Sequence, residues 1–434
     1  MKKTLAAVTA SFCLIVTLNT VAVYGQRYGG QGEVILPQTM GLYGNFYSVF
    51  QANSPLIRPD GEKKKIYPFY QYLEFNAVSA DGNVSFNTFS RGREILNGED
   101  RSFDVYNAFI QFNNTARSFE LRLGRQIITE SFNFFLLDGG FIRFRPIDGL
   151  QLVAYGGYQD KDAQPDPEEP LGSSTVFGFK LKSDRVLGSI ISVGYEFFNL
   201  DDSSTRHFIN LAFNRVVPFT KYADIYSRAE IDVGQGNFAL FTVGIGITPL
   251  KSVHLNLEYD TYKPDEDKDE FLMDTIFDLF SISRLHEARV GLTYLPTSYL
   301  EVSSSFSYAR YDVLEGTSSN GYIAKLGFSW DFWREIGLRA FQGIYFIDGR
   351  RNDRAIGLNF GISEEILRGL DVQFSFAYAN FETITNKDGN AFSYIMGTQY
   401  LLTRDLALKA EVEINTNPDF DKDIRTNIGV SYYF

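Results

Sequence analysis

Asn427-Ile428-Gly429-Val430-Ser431-Tyr432-Tyr433-Phe434 ends the chain, and its alternation decides the fold. In an extended strand, side chains at every second position share a face. Ile428, Val430, Tyr432 and Phe434 therefore form one apolar face, and Asn427, Gly429, Ser431 and Tyr433 form the other. A soluble domain rarely ends on an exposed aromatic strand. A barrel closing in a membrane can, because its outer face meets lipid and its last strand pairs with its first.

The same period of two runs through the chain. Leu406, Leu408, Ala410, Val412 and Ile414 alternate with Ala407, Lys409, Glu411, Glu413 and Asn415. Leu370, Val372, Phe374, Phe376 and Tyr378 alternate with Asp371, Gln373, Ser375 and Ala377. Val253, Leu255, Leu257 and Tyr259 alternate with His254, Asn256, Glu258 and Asp260. One face of each segment suits lipid and the other suits water. No helical domain or linker interrupts the pattern, which predicts an all-β fold: a single transmembrane antiparallel up-and-down barrel.

Composition agrees. Aromatic residues make up 16% of the 434 residues, with 40 Phe and 26 Tyr. Mean hydropathy is nonetheless slightly negative at -0.15. A lipid-facing band with aromatic girdles, alternating with a polar inner face, explains both values. After the N-terminal 25 residues, no stretch approaches the 18 apolar residues of a membrane-spanning helix. The net charge of -12 argues against a nucleic-acid partner. Much of the acid sits in two runs, 160–169 and 265–274, read as solvated loops. Lys2 and Lys3, followed by an apolar run to Val23, read as a secretory signal peptide over residues 1–25. The only cysteine, Cys13, lies inside that segment, so the mature chain has no thiol chemistry. Residues 26–39 form a short periplasmic segment, too short for a plug, and 40–434 form the barrel.

Connections fall into short tight turns and longer polar loops that alternate along the chain, the asymmetry expected between the periplasmic and extracellular ends. They delimit about 22 strands, within a range of 16–22, with both termini in the periplasm. The hairpin at Asp81 and the region 129–140 carry the weakest patterns.

The terminal stretch also resembles the C-terminal assembly signal of Gram-negative outer-membrane proteins. Asn427, Gly429, Tyr432 and Phe434 fill its polar, glycine, aromatic and terminal phenylalanine positions. Leu121-Arg122-Leu123-Gly124-Arg125-Gln126, followed by Leu137-Asp138-Gly139-Gly140, resembles a local pattern of porin-like families, including the alginate-export and substrate-specific porins. Arg125 is out of phase with Arg122, which predicts a bulge or a rim position. The resemblance implies an outer-membrane channel for passive diffusion of small hydrophilic solutes. Its implied partners are outer-membrane lipid, the barrel-assembly machinery and the solutes themselves, with a homo-oligomer also in keeping with porins.

In such a barrel the inward residues set selectivity. Arg122, Arg143, Arg145, Lys180 and Lys182 form a basic wall, and Glu230, Asp232, Glu258 and Glu287 lie among the opposing acids. Opposed rows would set a transverse field across the pore; alternatively, the same residues brace the wall as ion pairs. The loop 127–137 occupies the place of the inward-folded porin constriction loop. It is aromatic rather than acidic, offering Phe132, Phe134 and Phe135 as a greasy substrate contact or as wall packing. Phe271, Leu272, Ile276, Leu279 and Phe280 have helical spacing within 269–283, which predicts a short helix that caps or constricts the pore or binds a partner at the cell surface. Phe277 in that segment is a further constriction candidate.

Nothing in the sequence implies a cofactor or a metal. His207, His254 and His286 show no ligand spacing, no HExxH or GxSxG motif occurs, and the acidic runs lack EF-hand spacing. His254 and His286 read as lumen-side wall residues. Two rivals stand beside the channel: a closed barrel with a surface role, and a barrel hydrolase using these histidines.

Overall fold

The computed structural model describes residues 40–434 apart from 53, 58–62, 99, 115, 117, 131–134, 161–173, 187, 200–204, 218–221, 263–284, 313–317, 334–337, 349–353, 383–387 and 418–419. Signal segment 1–25, residues 26–39, the predicted helix 269–283 and the acidic runs at 161–169 and 265–274 lie outside these residues. So do Phe132, Phe134, Phe271 and Phe277.

β1 (Met40–Ala52) is the first barrel strand, and a small hairpin of β2 (Ser54–Ile57) and β3 (Lys63–Ile66) follows it. The wall continues with β4 (Pro68–Ser79), β5 (Val84–Ile95), β6 (Arg101–Asn113), β7 (Phe119–Ile128), β8 (Phe135–Phe144), β9 (Leu150–Asp160), β10 (Ser174–Val186), β11 (Ser189–Asn199) and β12 (Thr205–Val216). Next come β13 (Ala223–Asp232), β14 (Asn237–Leu250), β15 (Val253–Tyr262), β16 (Leu285–Thr297), β17 (Leu300–Asp312) and β18 (Ser318–Trp333). β19 (Leu338–Asp348), β20 (Arg354–Leu367), β21 (Leu370–Glu382), β22 (Asp388–Leu401), β23 (Leu406–Asn417) and β24 (Phe420–Tyr433) complete the ring. Apart from β2 and β3, every strand pairs with its neighbours in sequence, and the sheet has 22 strands. The ring closes where β24 pairs antiparallel with β1, from Asn45 opposite Tyr433 to Ala52 opposite Thr426. The predicted strand number and topology are thus met. The described residues contain no α-helix.

The two weakly patterned regions are resolved. At Asp81 the chain turns tightly. The Asp81 carboxylate accepts from the Asn83 backbone N–H at 3.1 Å and from Asn83 Nδ2 at 2.8 Å. In 129–140, β8 begins at Phe135 and pairs with β7 without a register shift.

Two residues make the closing seam fit. The backbone of Phe434 exchanges both hydrogen bonds with Gly44, at 2.9 and 3.1 Å. A Cβ on Gly44 would stand 2.6 Å from the Phe434 ring, so glycine is what lets the terminal aromatic lie flat on β1. On the inner face a Cβ on Gly429 would stand 2.9 Å from the Tyr47 ring.

The outer face is apolar around the ring. Leu123, Ile142, Leu257, Val290, Phe306, Phe346, Met396 and Ile428 are all exposed large hydrophobics on outward phases. A surface of this extent in water would be unstable, whereas a bilayer covers it. Inward positions carry the polar and charged residues, apart from aromatic rings on β1 and β4–β6 and an apolar group on β8–β12. There Leu137, Phe141, Val153, Val176, Phe198 and Phe208 form a buried cluster with Ile128, Phe135 and Tyr155.

The candidate transport lumen

Charged residues on β7–β10 converge on the inner wall. Arg122 and Glu120 sit two apart on β7, hence on one face, with Arg122 Nε donating to Glu120 at 2.6 Å. Arg143 lies opposite Glu120 in the β7–β8 register and donates to its second oxygen at 2.5 Å. The other arm of Arg143 reaches Glu130, in the connection between β7 and β8. Lys180 of β10 lies 3.6 Å from the same carboxylate and donates to the Glu130 carbonyl. Arg122 and Arg143 also flank the ring of Phe141, at 4.8 and 5.1 Å from its centre. Burial acts to raise the pKa of Glu130. The hydrogen bond and charge of Arg143, with the charges of Lys180 and Lys182, outweigh it and hold the carboxyl below its ordinary range.

The structure therefore brings together Arg122, Arg143, Lys180 and Lys182, but interleaves two acids that the sequence reading did not assign to this wall. Arg145 stands apart: it follows the end of β8, in the exposed turn before β9. Strand phase alone placed it with Arg143, because phase does not say where a strand stops.

The acidic residues lie on β13–β16 and are braced in the same way. Asp232 pairs with Arg206 at 3.2 Å and accepts the Gln235 backbone N–H at 3.0 Å. Glu258 accepts from Tyr226 Oη at 2.5 Å and from Arg289 at 2.7 Å. Arg289 also donates to Glu287 at 2.9 Å. Glu230 is buried on the inner face beside Arg228, whose guanidinium senses its charge. Only β11 and β12 separate this group from the basic one in the ring order. The two are neighbours along one wall and do not oppose each other. Opposed rows would need about half the strands of the ring between them.

Phe135 packs into the wall, its ring 5.9 Å from those of Tyr155 and Phe198. Of the alternatives for its loop, this residue takes wall packing. Arg125 lies on the outward phase within β7, pairs with Asp138 at 2.6 Å, and sits in an unshifted register, so no bulge accounts for it. His254 keeps the lumen-side phase, 3.1 Å from Thr248 Oγ1. His286 does not. It shares the outward phase of Val290 and Tyr294, and hydrogen-bonds Tyr259 at 3.0 Å. His207 is also outward, 2.6 Å from Tyr195 Oη. Among the described residues no group of His, Cys, Asp or Glu is arranged to hold a metal.

Away from both charged groups, β1, β4, β5 and β20–β24 enclose a cavity of about 1070 Å³. Its wall carries Tyr47, Tyr70, Tyr72, Phe89, Gln373, Gln399, Lys409, Glu411 and Asn427 among others. Composition alone points to aromatic girdles at the lipid face, and only the loop phenylalanines of 127–137 read as lumen contacts. Tyr70 and Tyr72 were legible as inward only through their register with β1 and β5.

The 22-strand register closes on itself, with lipid-compatible residues outside and charge inside. The chain is a closed 22-stranded β-barrel of the membrane-spanning type. No protein-family model and no curated protein sequence matches it. Among solved structures it is similar to Pseudomonas aeruginosa OpdK with vanillate, at 11% identity and a TM-score of 0.44, covering 91% of this chain and 98% of that one. It is also similar to a BenF-like porin from Pseudomonas fluorescens Pf-5, at 12% identity and a TM-score of 0.44, with the same coverage. OpdQ of Pseudomonas aeruginosa aligns at 12% identity and a TM-score of 0.43, again over 91% and 98% of the two chains.

Proposed function

We propose that this barrel is an outer-membrane channel passing small hydrophilic solutes by passive diffusion. The observation that carries the reading is the cavity of about 1070 Å³ inside a closed ring, lined by amides, charged side chains and aromatic rings and bounded outside by an apolar belt. A wall that only had to be filled would carry apolar side chains, as the buried cluster of Leu137, Phe141, Val153 and Val176 does. Polar groups facing an open volume hydrate a path instead. In this reading Arg122, Arg143, Lys180 and Lys182 bias one stretch of wall toward anions. Glu230, Asp232, Glu258 and Glu287 bias the next toward cations. Each bias is softened by the ion pairs within its group.

The partners are outer-membrane lipid around the belt, solutes in the lumen, and the barrel-assembly machinery at Asn427, Gly429, Tyr432 and Phe434. We assign the histidines no catalytic role: His207 and His286 face outward on separate strands, and His254 bonds Thr248 within the wall. Liposome swelling tests the proposal. Vesicles holding the folded protein should swell in isosmotic arabinose or glucose and progressively less in larger solutes. Vesicles that swell no faster than protein-free ones would contradict it.

A further inference from the structure

Four aromatic rings cross four adjacent strands on the inner wall: Tyr47 on β1, Tyr72 on β4, Phe89 on β5 and Tyr106 on β6. Successive ring centres are 5.9, 6.2 and 5.3 Å apart, with interplanar angles of 25°, 13° and 28°. Tyr70 stands beside the row, 6.3 Å from Tyr72. The register explains the continuity. Tyr47 lies directly opposite Tyr72, and Phe89 is the diagonal neighbour of Tyr72, whose direct partner is Arg91. A register shift between Phe89 and Ser90 leaves Tyr106 out of the ladder, next to Phe89.

Near-parallel rings at these separations are offset rather than sandwiched, so each leaves part of its face uncovered by the next. Barrel strands tilt by about 35–45°, so a row crossing them climbs the wall obliquely instead of ringing it at one height.

Each end of the row is capped by a cation. Lys409 Nζ lies 5.3 Å from the Tyr47 ring centre, and the Arg91 guanidinium 5.5 Å from that of Tyr106. Lys409 reaches Tyr47 across β24 at its partner Gly429, which has no side chain to intervene. Arg91 is itself neutralised by Asp104 at 2.7 Å. The middle of the row, Tyr72 and Phe89, faces the cavity beside Asn45, Asn427 and Glu411. Asn427 Nδ2 donates to Glu411 at 3.0 Å, and the amide side chains Gln51, Gln373 and Gln399 line the same cavity.

We infer that this row is a stacking track for neutral oligosaccharides, with Tyr72 and Phe89 as its central platform. This rests on the channel reading above for how a sugar arrives. A pyranose ring has an apolar face of C–H groups, which sits on the electron-rich face of an aromatic ring, and a rim of hydroxyls that both donate and accept. The track supplies the matching surface, and the amides and the Glu411 carboxylate at its edge supply the partners. A flat aromatic solute would use the rings but leave those polar groups unmatched, which costs affinity. A small ion would find Arg91 already paired. Repetition along the row lets a chain of sugars shift from one ring to the next without losing all contact.

Single-channel recording of the full chain in a planar bilayer provides the test, with maltohexaose and cellohexaose as probes. Polyethylene glycol of matched size, lacking the pyranose face, is the control. At least one hexasaccharide should interrupt the current in a saturable way, and the glycol should not. The double variant Tyr72→Ala/Phe89→Ala should weaken that block at least tenfold, read as the fraction of each protein's own open current, whereas Tyr72→Phe/Phe89→Tyr should retain it. Equal block by sugar and glycol, block by neither sugar, or block untouched in the alanine variant would overturn the track and leave the channel reading intact. If the wild type carries no current, calorimetric titration of the folded, detergent-solubilised protein with the same sugars decides. Heat that is lost in the alanine variant would uphold the track while the channel reading falls. Absence of heat from both sugars would overturn the track as well.

Discussion

Gly429 carries two readings. In sequence it occupies the glycine position of an outer-membrane assembly signal, and in the barrel it is the space in which the Tyr47 ring lies. Its missing Cβ would stand 3.1 Å from the Ser48 carbonyl oxygen as well as 2.9 Å from the Tyr47 ring. A side chain there must push back both a ring and a backbone, and overpacking of this kind costs about 1–3 kcal/mol. Gly429→Val is therefore expected to lower the urea midpoint of the folded barrel, and adding Tyr47→Ala should restore part of the loss. An unchanged midpoint in the single variant would show that the seam relaxes freely. Glu130 makes a second prediction at this scale. Its pKa is lower in the folded barrel than in the unfolded chain, so its ion pairs contribute fully at neutral pH. They are lost only as pH falls through that depressed value. Wild-type stability should drop across this acidic window, and Glu130→Gln should flatten that step. A Glu130→Gln profile parallel to wild type would contradict the assignment. Neither role was legible in sequence. Tyr47 and Gly429 meet only when the ends of the chain pair, and Glu130 lies in a segment whose aromatic residues dominated its reading.

Strands were the most legible elements, because a side-chain period of two is a local property and lipid outside with water inside enforces it. Leu406 to Ile414 and Leu370 to Tyr378 took the expected faces without tertiary information. What failed depended on where a strand stops or which phase a rim residue takes. Arg145 shares the phase of Arg143 but lies past the end of β8. His286 was placed on the inner face, yet it shares the phase of Val290 and Tyr294. The aromatic row was missed because its identity lies in the register of β1, β4, β5 and β6 rather than in any one of them. The terminal strand gives the prediction at this scale. Phe434 holds the seam through two backbone hydrogen bonds and a ring that fits over Gly44. Deleting Phe434 should sharply reduce the share of protein that migrates as the compact, heat-modifiable form after expression, and Phe434→Tyr should preserve it. An undiminished folded share after the deletion would assign the seam to the other β1–β24 pairs alone.

Across the whole molecule the charged residues divide the wall unevenly. β7–β10 and β13–β16 hold adjacent ion-paired groups of opposite bias, and the cavity lies on the side lined by β20–β24, β1, β4 and β5. These two groups therefore do not face each other across the pore. Ions entering the lumen meet mostly paired charge, which predicts weak ion selectivity for so charged a wall. Single-channel current of the folded mature protein in a planar bilayer under a salt gradient tests the central claim most directly. Steady ohmic steps with a reversal potential close to zero are the predicted result. Silence from protein shown to be folded and inserted would contradict the account and leave a closed barrel whose role lies at its surface.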